Sequence, residues 1–77
     1  MEPVLNIIQG RAIIARGAAR GLRERAGLTQ RDVAAHCGVI ESTVSRWEKG
    51  ERQPRGRKGR NYLMLLVALE GEEESVA

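Results

Sequence analysis

Seventy-seven residues allow one domain with a modest core, and with no Phe, one Trp and one Tyr that core must come from Leu, Val, Ile and Ala. One cysteine excludes an intrachain disulfide and a cysteine-only zinc site, and no apolar run reaches the roughly 18 residues of a membrane span. All thirteen Lys and Arg fall between Arg11 and Arg60 with only five of the ten acids, so the body carries +8 within a net charge of +3; such a body suits a polyanion partner, or serves as a solubilising surface.

Residues 1–10, MEPVLNIIQG, form an apolar arm. Val4, Ile7 and Ile8 share a helical face and Pro3 suits a first helical position, yet the Ile and Val content equally suits a short strand. Glu2, with no early basic cluster, is unlike a signal peptide, and the lone cysteine fits a reducing, cytoplasmic setting. Residues 11–26 place Ile14, Ala18 and Leu22 at a spacing of four, which predicts an amphipathic helix with arginines on its polar side. Gly17 and Gly21 inside it each cost about 1 kcal/mol relative to Ala, and Gly27 ends it.

Thr29 offers an N-cap hydroxyl, and Asp32 stands where Glu or Gln completes a capping box. A second helix follows with Val33, Ala34 and Cys37 inward, stopped by Gly38. Residues 41–49 predict a third helix with Val44 and Trp47 inward, stopped by Gly50. Residues 51–60, ERQPRGRKGR, read as a basic loop. Residues 61–70 predict a last helix anchored on Leu63, Leu66 and Leu69. Residues 71–77, GEEESVA, read as an acidic disordered tail, which leaves 11–70 as the folded domain.

Two short helices separated by Gly38-Val39-Ile40 make the two halves of a helix-turn-helix. Small Ala34 admits a steep crossing, Gly38 takes the left-handed turn, and Val39 and Val44 fill the angle. The stretches LRERAGLTQ (22–30), VAAHCGV (33–39) and STVSRWEKG (42–50), with the following Pro54, resemble the Cro and phage-repressor helix-turn-helix family, also called xenobiotic-response-element-like. The resemblance covers about residues 13–71. It implies an all-α, lambda-repressor-like bundle of four to five short helices, with 41–49 as the recognition helix in the major groove. The implied function is sequence-specific binding of double-stranded DNA by a small transcriptional regulator; a homodimer on the site is expected beside it, with the apolar arm 1–10 as the candidate contact.

Roles carry over residue by residue. Gln30 matches a glutamine that grips a phosphate and braces the recognition helix. Arg23 and Glu48 match a structural salt bridge. Glu41, Ser42, Thr43 and Arg46 match positions that meet bases or adjacent backbone, and Lys49 matches a phosphate contact. The sequence departs from the family at Ile40, where Ser or Thr is the usual N-cap, a difference that costs about 1 kcal/mol unless Ile40 packs as a staple. It also departs in a longer loop after Pro54, and in ending soon after the last core helix, where the family often adds a dimer-forming helix.

The chemistry of these side chains agrees with such roles. Arg46 can pair bidentately with guanine, Ser42 and Thr43 can exchange hydrogen bonds with bases or phosphates, and Glu41 can accept from cytosine N4. Glu41 is equally explained as an acid at a helix N-terminus. Arg52, Arg55, Arg57 and Lys58 in the glycine-rich loop suit phosphate contacts, against the plainer reading of a solvated linker. His36 and Cys37 are adjacent, but one of each cannot complete a tetrahedral zinc site, so Cys37 reads as core and His36 as surface. No metal, cofactor or catalytic grouping is legible, and the expectation is a protein that is not an enzyme. The rival reading is an antitoxin or adaptor that binds a protein partner through residues 1–10.

Overall fold

The computed structural model of the chain describes residues 2–76, which form five helices and no strand: α1 (Glu2–Ala15), α2 (Ala19–Arg25), α3 (Gln30–Cys37), α4 (Glu41–Glu48) and α5 (Gly56–Val76). Met1 and Ala77, the ends of the expected arm and tail, lie outside the described residues. α5 is the spine: α1, α2 and α3 all pack on it, and α3 packs on α4. The core gathers Ile13 and Ile14 of α1, Leu22 of α2, Val33 and Cys37 of α3, Val44 and Trp47 of α4, and Leu63 and Leu66 of α5.

The helix expected over residues 11–26 is two helices. Gly17 breaks it with a φ of 75°, a left-handed conformation that costs glycine little. Around it the Gly17 N–H donates to the Ile14 carbonyl (2.9 Å) and the Ala18 N–H to the Ile13 carbonyl (3.0 Å), the paired bonds of a Schellman stop. Ile14 and Leu22 still reach the same core, so the apolar spacing survives the bend that it did not reveal.

Upstream, α1 runs unbroken through Gly10, so the arm is helical and continuous with the residues that follow. It lies close against α5: a Cβ built on Gly10 would stand 2.7 Å from Leu63 Cβ and 2.9 Å from the Leu63 carbonyl oxygen. Of the three apolar residues expected to share a face, Ile7 packs against the core. Val4 and Ile8 stay 58% and 59% exposed, and Leu5 beside them 56%.

The basic segment is a loop only as far as Arg55. α5 begins at Gly56, so Arg57, Lys58 and Arg60 are helical. Pro54 is buried and sits against Gly59, where an added Cβ would lie 2.5 Å from the Pro54 carbonyl carbon. That close approach, rather than a long flexible excursion, returns the chain to the core. The expected disordered tail is likewise helical through Val76. Its acids meet arginines of the other helices: Glu70 pairs with Arg16, and Glu73 with Arg25 at 2.6 Å. The Arg25 hydrogen bond holds the Glu73 carboxyl below the usual carboxylate range.

Tyr62, unnoticed in the sequence, is the largest fully buried side chain. Its ring centroid lies 4.8 Å from that of Trp47, tilted by 34°, and joins α5 to α4. Its hydroxyl has no hydrogen-bond partner among the described residues, and burial pushes its pKa up.

Candidate nucleic-acid interface

α3 starts with a reciprocal cap. Asp32 N–H donates to Thr29 Oγ1 at 3.0 Å, and Thr29 N–H donates to Asp32 Oδ2 at 2.8 Å. Aspartate thus serves in the place usual for Glu or Gln, and the bond from the Thr29 backbone holds its carboxyl below the ordinary range. Gly38 ends α3 at a φ of 75°, and the Val39 N–H closes the turn on the Ala34 carbonyl at 3.0 Å. Ile40 holds the N-cap position of α4 without a side-chain hydrogen bond, and at 69% exposure it is not packed as a staple.

Burial of Val44 and Trp47 fixes the rotation of α4. At 3.6 residues per turn, positions two before and two after Val44 lie about 160° away from it. Those positions are Ser42 and Arg46, and both are exposed. Glu41 is exposed as well, while Thr43 and Ser45 are half-buried on the flanks. Ser45 was not singled out from sequence, and its place beside the outward face follows only from the rotation.

A buried polar cluster ties this helix to its neighbours. Arg23 Nε donates to Glu48 Oε2, and Arg23 Nη2 reaches Glu48 Oε1 at 3.3 Å. Arg23 Nη1 donates to the Leu28 carbonyl at 2.9 Å. Gln30 Nε2 donates to the same Glu48 Oε1 at 3.1 Å. Glu48, the last residue of α4, therefore accepts from α2 and from the first residue of α3. Its hydrogen bond raises the pKa of Arg23 further, so the guanidinium stays charged at any relevant pH.

Glu41 meets Arg31 Nε at 3.2 Å, an exposed pair that spans the two helices of the motif. Arg31 escaped the sequence reading because nothing local links it to a residue ten positions on.

The cations fall into two populations. Arg16, Arg20, Arg23, Arg25 and Arg31 each pair with a glutamate. Among the described residues, Arg11, Arg46, Lys49, Arg52, Arg55, Arg57, Lys58 and Arg60 form no ion pair, and all eight are exposed. Arg52, Arg55 and Lys58 line one groove with Thr43 of α4, floored by Val39 and Trp47. Arg57 does not line that groove.

Residues 15–74 match a family model described as a helix-turn-helix domain. The chain belongs to the helix-turn-helix domain family. No curated protein and no solved structure gives a significant match. The family match runs from the end of α1 nearly to the end of α5, so most of α1 stands outside the helix-turn-helix unit. A helix-turn-helix domain is a DNA-binding module, and its second helix is the one such proteins lay in the major groove. Here α3 and α4 are the two helices of the motif. Among the described residues no helix is long and apolar enough to cross a membrane.

Proposed function

We propose that this protein binds double-stranded DNA sequence-specifically as a small transcriptional regulator, with α4 in the major groove. The observation that carries this reading is the segregation of charge. The fold pairs the arginines of α2 with glutamates and leaves unpaired the cations that surround the outward face of α4. Arg46 is the strongest base reader, through guanine O6 and N7, with Ser42 and Thr43 beside it. Glu41 reads a cytosine amino group when Arg31 holds its carboxylate, and otherwise serves the helix N-terminus. Gln30, Lys49, Arg52, Arg55, Arg57 and Lys58 take phosphates and set register without reading sequence.

The reading extends to a homodimer on DNA, with two copies of α4 about 34 Å apart. The contact assigned to it is the exposed stripe of Val4, Leu5 and Ile8. The same stripe favours a second reading, an antitoxin or adaptor that seats a protein partner there. Selection of bound sequences from random duplex DNA tests the first reading. Enriched sites with two-fold symmetry are expected. No enrichment overturns DNA reading by α4, and a single asymmetric half-site overturns the dimer. Co-purification of a neighbouring gene product, lost in a Val4→Ser, Ile8→Ser variant, would favour the second.

A further inference from the structure

We infer that the DNA-binding surface continues past α4 onto α1, where Arg11, Lys49, Arg55 and Arg60 form a second phosphate seat for duplex flanking the base pairs read by α4. The inference rests on the DNA-binding reading and extends it to a helix that lies almost wholly outside the family match.

Arg11 is the only charged residue between Pro3 and Ala15. The fold sets it between two grooves. One is lined by Arg11, Ile14, Ala15, Lys49, Gly50 and Gln53. The other joins Arg11 to Arg55 and Arg60 across Ile7, Pro54 and Leu63. No acid lines either groove; Glu51, the acid of the loop, belongs to neither. Among the described residues Arg11, Lys49, Arg55 and Arg60 have no ion pair, although five other arginines of this small molecule do. Arg55 also lines the groove beside α4, so Arg52, Lys58, Arg55, Arg60 and Arg11 line adjoining grooves that run from Thr43 to α1.

Size decides what these cations can meet. The eight residues of α4 extend about 12 Å at 1.5 Å each, the length of three to four base pairs. The molecule measures 32 × 29 × 21 Å, close to one turn of duplex at about 34 Å. Most of the phosphates it covers therefore lie outside the reach of α4. Gathered like charges repel in the free protein, and a polyanion with regularly spaced charges relieves that repulsion while releasing counterions.

The test is an Arg11→Gln, Arg60→Gln variant of the full chain, measured on one selected site in two duplexes, one with long flanks and one trimmed to the core. On the long duplex the slope of log K against log salt should flatten by up to about 1.8, two contacts at about 0.9 each. Between 50 and 200 mM salt that change amounts to about tenfold less loss of affinity than in the wild type. On the trimmed duplex the two proteins should coincide, and base preference should be the same on both. Arg11→Lys should keep the wild-type slope. Unchanged slopes on the long duplex overturn the inference, and so does an equal deficit on both duplexes. A wild type that binds no duplex at all overturns the DNA reading itself, a result distinct from either.

Discussion

Breaking the Arg23–Glu48 pair should be the most damaging polar change in the molecule. The two side chains retain 11% and 5% of their exposure, far nearer a buried pair than a surface one. Removing one partner of a buried pair costs about 3–5 kcal/mol, whereas a surface pair contributes about 0–1. The Leu28 carbonyl still accepts from Arg23 when Glu48 is gone, and the Gln30 amide still donates to Glu48 when Arg23 is gone. Each survivor therefore keeps one hydrogen bond, which lowers the expectation to about 2–4 kcal/mol for Arg23→Met or Glu48→Met. A chain of this size has about 4–12 kcal/mol in all, so either variant should lose about 10–25 °C of Tm. The double variant replaces both charges with apolar side chains and should lose less than the sum of the singles by about 2 kcal/mol or more. Urea and thermal unfolding of the four proteins, followed by circular dichroism, complete the cycle. Single losses that add to within about 0.5 kcal/mol would refute the argument, since the two residues would then act independently.

Arg46→Ala should cost about 1–3 kcal/mol on a selected site and relax preference at one base position; equal losses on selected and random DNA would make Arg46 a phosphate contact. Replacing Arg55, Arg57 and Lys58 together by Gln should flatten the salt slope by up to about 2.7 while leaving base preference unchanged, and an unchanged slope in a salt titration would return these charges to solvent. Gly10→Ala forces a methyl against Leu63 and should destabilise by about 1–3 kcal/mol, as overpacking does, whereas Gly71→Ala meets open space and should stabilise α5 by about 0.5–1 kcal/mol; denaturant midpoints of the two variants must move in opposite directions. Tyr62→Phe removes a buried hydroxyl that has no protein partner and should leave stability unchanged or raise it by about 1 kcal/mol, so a clear loss of Tm would show that the hydroxyl is satisfied in solution.

The helix-turn-helix was legible because its determinants are local. A cap at Thr29, a left-handed turn at Gly38, and inward residues at Val33, Ala34, Cys37, Val44 and Trp47 all act within a few positions of one another. What escaped depends on contacts distant in sequence. Gly17 sits inside an unbroken apolar spacing, which marks no stop there. Residues 2–10 are helical with Gly10 seated against Leu63, and α5 starts early with Gly59 against Pro54, contacts that no local pattern announces. The winding of the acidic turns goes with Arg16 and Arg25, more than forty positions away. At the candidate site, the outward residues of α4 followed from its apolar spacing. Arg31 and Arg11 did not, because their neighbours come from other helices.

The far end of α5 is fastened to the rest of the molecule by ion pairs whose side chains stand largely in water, Arg16–Glu70 and Arg25–Glu73. Ionic strength is therefore a variable inside this protein as well as between it and a partner. At about 1 M salt the screening length falls to about 3 Å, so these exposed pairs, each contributing about 0–1 kcal/mol, weaken while the packing around Leu63 and Leu66 is untouched. The same salt that weakens a phosphate contact made by the unpaired cations also loosens Arg25 of α2 from Glu73, so the fold and its binding surface answer to one variable.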